Sequence, residues 1–226
     1  IMGQCAVSTP VYEKESRSYE NQPLLLPHKS PSNDVVTQYL FSRGIDYEII
    51  NYCLDKELII ESLPYHNVVF IGKDESGTPK YAAYRGTMAS SFKGDASGSD
   101  KRYSFRLLAR EPCQSVHLFE AAIDLLSYMT LLKMEDIDYK SFNYLSLGGA
   151  CEKIAAKNEA DMPIALNAFL ERNLNVQIIV FHLDNDEVGR GATQKIMMIA
   201  RRNYQCFDNH PVIFKDVNEE LVSIKI

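Results

Sequence analysis

The chain has 226 residues, 46% of them hydrophobic, enough to bury the core of one large domain or two small ones. No run of about 18 apolar residues is present, which excludes a membrane-spanning helix, and no basic start leads into an apolar block as in a secretory leader. A net charge of −6 argues against a simple basic coat protein for nucleic acid.

Residues 1–31 carry Pro10, Pro23, Pro27 and Pro31 among polar residues and read as an extended arm. Residues 33–62 read as two short helices. Val35, Val36, Tyr39 and Leu40 form the apolar face of the first, with Asn33 as N-cap and Gly44 as C-cap. Asp46 caps the second, whose apolar face is Ile49, Ile50 and Cys53. The period then shortens to that of strands in NVVFIG (67–72), KYAAYRGT (80–87) and YSFRLLA (103–109). KDESGT makes a hairpin turn, and KGDASGSDKR (93–102) is a charged, glycine-rich loop without Walker spacing. From Lys73 to Arg110, eight basic side chains stand against four acids, a local charge of +4 that leaves the remainder at about −10. Such a division suits a protein that holds a polyanion with one part and a metal with the other.

From residue 115 the pattern alternates strand and helix. VHLFE (116–120), NYLSLGG (143–149), QIIVFHLD (177–184) and PVIF (211–214) read as strands. Helices are predicted over 121–134, with Ile123, Leu126 and Thr130 inward, and over 162–173, 187–203 and 217–223. This order predicts an α/β domain with a parallel sheet covered on both faces, its ligands at the carboxyl ends of the strands. Pro112 places the boundary with a smaller α+β domain near Arg110–Ser115, giving an arm (1–31), a basic α+β domain (32–112) and the parallel-sheet domain (113–226). Cys5, Cys53, Cys113, Cys151 and Cys206 form no C-x-x-C pair. They read as ordinary buried thiols in a reducing cytoplasm.

Five carboxylates are expected at one edge of that sheet. Glu120 closes the first strand, and Asp124 lies four residues on, on the same helical face. Asp184 and Asp186 close the third strand, and their i, i+2 spacing aims both side chains the same way. Asp216 follows the fourth. Each has an ordinary alternative as a helix cap or a partner of a helix N-terminus. Together they repel, and a hard cation such as Mg²⁺, which prefers oxygen ligands, offsets that repulsion.

The motifs HLFEAAIDLLS, SLGGA, FHLDNDEVGRGA and KDVNEEL, in that order over roughly 115–223, resemble a topoisomerase-primase (Toprim) domain. Upstream, YLFSRGID, VVFIGKDESGTPKYAAYRGT and GSDKRYSF resemble the domain of unknown function that precedes Toprim in Gram-positive mobile-element proteins. The order is also similar to the catalytic core of bacterial primases. The resemblance implies Glu120, Asp184 and Asp186 as catalytic residues, and these with Asp124 and Asp216 as ligands of Mg²⁺ or Mn²⁺. It also implies Arg85, Lys93, Lys101 and Arg102 as contacts for nucleic acid or nucleotides. Its implied partners are single-stranded DNA or RNA, nucleotides, and proteins of a conjugative or plasmid element.

Three functions follow from one site. The first is primase-like, metal-dependent nucleotidyl transfer. The second is a nuclease, with water as the nucleophile. The third is a nucleic-acid-binding module without chemistry. A topoisomerase needs a further strand-passage domain with a nucleophilic tyrosine, for which 226 residues leave little room. The start at Ile1 suits a fragment or a processed chain, and the upstream zinc module common in primases has no counterpart within these residues.

Overall fold

A computed structural model describes residues 22–88, 92–156 and 161–225. Residues 1–21 of the expected arm lie outside them. The described end of the arm runs extended, with the Leu25 amide on the Ser97 carbonyl (2.9 Å) and the Ser30 amide on that of Glu61 (2.8 Å).

Helices α1 (Asp34–Ser42) and α2 (Tyr47–Asp55) form where the apolar spacing predicts them. In α2 the Asp46 carboxylate accepts from the Glu48 amide (2.8 Å), and Ile49, Ile50 and Cys53 are buried. Asn33 does not cap α1 through its side chain. Its Oδ1 accepts instead from the Glu61 amide (3.2 Å), while the buried Glu61 carboxylate takes the Val36 amide (3.1 Å). An acid 25 residues away thus satisfies an open amide of the first turn.

Four antiparallel strands follow in sequential order: β1 (Ile59–Glu61), β2 (Val68–Lys73), β3 (Pro79–Arg85) and β4 (Lys93–Asp95). The β2–β3 turn is the expected hairpin. Asp74 Oδ1 accepts from the Ser76 and Thr78 amides, and Gly77 takes a φ of +84°. Sequence reading places 93–102 wholly in a loop. Lys93–Asp95 instead pairs with Ala83–Arg85 as the outer strand, because main-chain bonding needs no apolar pattern at an exposed edge.

The second sheet has the order β5 (Arg106–Leu107), β7 (Asn143–Ser146), β6 (Ser115–Phe119), β8 (Ile178–His182) and β9 (Gln205–Asp208). All neighbours are parallel except β5 with β7. This is the predicted α/β arrangement, a mostly parallel sheet preceded by a smaller antiparallel one. The fourth parallel strand is not PVIF. Residues 205–208 pair with Ile178–Phe181, and 211–214 form no strand. Pro211 lacks a ladder amide, and Val212 and Ile213 are more than four-fifths exposed.

One face of this sheet carries α3 (Ala122–Met134), which packs with α1, α2 and the first sheet around Leu40, Ile49, Phe70, Phe105, Leu126 and Tyr144. Nearly every turn of α3 is buried, because α7 (Val217–Lys225) covers its outer side. The other face carries α4 (Cys151–Ala156), α5 (Ile164–Arg172) and α6 (Glu187–Ala200), packed around Leu118, Phe169, Ile179, Phe181 and Ile196. Each such side chain contributes about 1.5–3 kcal/mol on burial. No helix among the described residues is long and apolar enough to cross a membrane.

Candidate active site

Glu120 follows β6 directly, and the loop after β7 fixes its backbone. The Gly149 amide donates to the Glu120 carbonyl (3.1 Å), and the Ser146 hydroxyl reaches the same oxygen (3.3 Å). Gly148 and Gly149 supply the positive φ values (59° and 68°) that turn SLGGA back on Glu120. The Cys151 thiol, buried at the start of α4, donates to the Glu120 carboxylate.

Beyond β8 the chain bends at Asn185 and Asp186, and Asp186 Oδ1 accepts from the Gly189 amide (2.8 Å) and opens α6. Gly189 is required by close approach. A Cβ there would overlap the Asp184 carbonyl oxygen. The glycine therefore lets α6 begin tight against the backbone that carries both aspartates, which accounts for the turn after two like charges. Asp216 caps α7 by accepting from the Glu219 amide (2.7 Å), with no strand ahead of it. Asp124, in the first turn of α3, is 6% exposed and accepts from the Asn218 amide (3.3 Å).

Three of the acids are shifted by burial and by the charges beside them. Burial first, then the charges of Glu120 and Asp216, push the Asp184 carboxyl up to about 7. Burial and the Asp186 charge raise Glu120. Burial, with Asp216 and Asp184, holds Asp124 well above the usual carboxylate range. Against them stands Lys215, whose ammonium lies 3.7 Å from Asp184 and 3.5 Å from Asp186. Among the described residues, no three His, Cys, Asp or Glu side chains are gathered closely enough to hold an ion as they stand.

Residues 38–110 match a family described as "Protein of unknown function (DUF3991)", and residues 117–221 match the Toprim-like family. The chain carries a Toprim-like domain behind a DUF3991 module. No curated protein matches it. Among solved structures, the primase fragment of the bacteriophage T7 primase-helicase protein is 18% identical over 81% of this chain and 68% of its own, with a TM-score of 0.54. The E. coli primase catalytic core is 13% identical over 86% of this chain and 70% of its own, with a TM-score of 0.55. The DnaG primase catalytic domain bound to single-stranded DNA is 12% identical over 86% and 71%, also at 0.55. At these identities the likeness is one of fold.

Two of the four basic residues named from sequence face the Toprim-like edge. Lys93 is near enough to Glu120 to favour its ionised form, and Lys101 Nζ donates to the Gly148 carbonyl (3.0 Å) while pairing with Asp95 (3.1 Å). Arg85 is turned to the Tyr39 hydroxyl (3.2 Å), and Arg102 pairs with Asp100 (2.6 Å). Sequence reading missed Lys215 and Cys151. The signal for Lys215 was a lone lysine directly before Asp216, and Cys151 had none beyond its place after SLGGA.

Proposed function

We propose that the Toprim-like edge performs primase-like nucleotidyl transfer on nucleic acid, dependent on Mg²⁺ or Mn²⁺, in the cytoplasm of a host carrying a plasmid or mobile element. The observation that carries this reading is the set of partly buried, mutually repelling carboxylates, Glu120, Asp184 and Asp186, countered in part by Lys215.

The donors suit a hard divalent cation in chemistry, being carboxylate oxygens destabilised by one another. Asp184, Asp186 and Glu120 would hold it, with Asp216 and Asp124 behind them, after swinging together from where they stand. When bound, the ion would supply charge neutralisation at the nucleotide's phosphates and help the 3′-hydroxyl form its bond to the α-phosphorus as the bond to the leaving pyrophosphate breaks. The chain's own residues do the rest. Glu120, with its raised pKa and its hydrogen bond from Cys151, can take the proton of that hydroxyl. Lys215 keeps Asp184 and Asp186 from parting. Lys93 and Lys101 hold phosphates at the mouth, and this grip weakens with salt. Single-stranded DNA, held by the similar DnaG domain, is the template that this arrangement suits best.

The test is primer synthesis on single-stranded DNA with ribonucleotides and Mg²⁺ or Mn²⁺. Asp184→Asn with Asp186→Asn is expected to abolish product. Synthesis that survives this double change removes the reading, and strand cleavage without nucleotides replaces it with a nuclease.

A further inference from the structure

A second charged feature lies at the other end of the second sheet. Strand β5 runs antiparallel to β7, so Leu107 to Arg110 lead toward the amino ends of the parallel strands, away from Glu120 and Asp184. The Ala109 amide reaches Asn143 Oδ1 (3.0 Å), and the Arg110 amide reaches the Lys140 carbonyl (2.8 Å). Between this segment, the β2–β3 turn and the end of α5 opens a cavity of about 760 Å³. Six cations line it (Lys56, Lys73, Arg106, Arg110, Lys140 and Arg172) against two acids, Asp74 and Glu75. In a chain of net charge −6 this is a concentrated positive site.

Some of these cations have structural work. Arg110 pairs with Asp138 (3.0 Å), and Lys140 lies 3.5 Å from Glu48. The others are compensated in part, Arg106 Nη2 by the Lys73 carbonyl (2.6 Å) and Arg172 Nη1 by the Arg102 carbonyl (2.8 Å). Among the described residues Lys56 and Lys73 make no salt bridge; Lys56 lies over the Tyr52 ring, and Lys73 donates to the Lys56 carbonyl. Arg106 and Arg172 both lean on the Tyr103 ring, at 5.7 and 4.2 Å from its centroid. Both pair with the exposed carboxylate of Glu75, 3.8 Å from Arg106 and 3.1 Å from Arg172, with Asp74 and Asp100 farther off. Arg106 is largely buried, and its Nη1 has no hydrogen-bond partner. A buried guanidinium nitrogen left unpaired is costly, and two guanidinium groups side by side are suited to a tetrahedral anion.

We propose that this cavity is a phosphate-binding site, separate from the carboxylate edge. Arg106 and Arg172 grip the phosphate oxygens, Lys56 and Lys73 add charge, and Glu75 holds the place until a ligand displaces it. The volume falls in the range of small-molecule sites, so the ligand is a compact phosphoanion: a nucleoside polyphosphate, or a few phosphodiesters of a nucleic-acid strand. Both present the same oxygens to the same arginines. The site does not depend on the function proposed above.

The test is calorimetric titration of the full chain, in EDTA, with inorganic tripolyphosphate, ATP and a ten-nucleotide single-stranded DNA. Arg172→Met is expected to weaken binding at least tenfold. Glu75→Gln, on an exposed turn, removes the competing carboxylate and is expected to tighten binding severalfold. Binding of tripolyphosphate and ATP alike assigns the site to free polyphosphates, and binding of the oligonucleotide alone assigns it to a strand. The proposal is overturned if no phosphate probe binds, or if neither Arg172→Met nor Glu75→Gln moves the affinity.

Discussion

Two acidic clusters in this chain face opposite electrostatic settings. Between α2 and α3, Asp46 and Glu48 meet Lys133 at 2.7 and 2.9 Å, and the Tyr139 hydroxyl donates to Glu48 (2.8 Å). The hydrogen bonds from Lys133 and Tyr139 draw Glu48 down to about 2. At the Toprim-like edge, Lys215 meets Asp184 and Asp186, and Asp184 still rises to about 7. The first cluster is saturated, and it pins α2 to α3. The second is left short of positive charge, the arrangement expected where a site must accept a cation or a proton.

The contrast is open to attack. The largest effect should come from Gly189→Ala, because the added methyl displaces the Asp184 backbone. The nucleotidyl transfer proposed above is expected to fall about 100-fold, the usual penalty for a displacement of roughly 1 Å, with the circular dichroism spectrum unchanged. Next comes Asp184→Asn measured as stability. A carboxylate with a folded pKa near 7 binds its proton more tightly folded than unfolded. Its contribution is therefore full below about pH 4 and is lost as pH rises through 7. The amide should stabilise the protein at pH 8 by on the order of 3 kcal/mol and hardly at all at pH 4, read from urea unfolding. The opposite sign at pH 8 would make the edge an ordinary ion-pair site.

The smallest effect belongs to the saturated cluster. Lys133→Met should lower stability by about 1 kcal/mol at pH 7, since these groups are half-exposed and screened. Glu48 has a depressed pKa, so its share is present above its unfolded value near 4.5 and is lost as pH falls through about 2. A thermal midpoint indifferent to Lys133→Met at pH 7 would show that the two clusters do not differ in kind.

Much of this was legible in the sequence because the signals are local. Asp46 before an apolar stripe, the Asp74–Gly77 turn, and the strand–helix alternation after 115 each depend on neighbours in the chain. The D-x-D pair and Glu120 were legible for the same reason, as acids at strand ends. The misses are tertiary. Glu61 was invisible as the cap of α1 because it comes from another strand. The burial of Asp124 on α3 depends on α7, which covers the outer side of that helix. The His117–His182 contact (2.9 Å), held among Phe119, Tyr128 and Tyr144, joins two strands that only the fold makes adjacent. PVIF has the hydrophobicity of a strand, but Pro211 lacks the amide a ladder needs, and the strand forms at 205–208 instead.

Strand β5 has a practical corollary. It lies upstream of the expected boundary near Arg110–Ser115, yet it bonds along the outer side of β7. An expression clone beginning after that boundary would strip β7 of its neighbour and bare a row of main-chain groups, a surface on which a second copy could dock its own strand. Clones meant to isolate the carboxyl-terminal half should start before Arg106, or they will report on aggregation instead of chemistry.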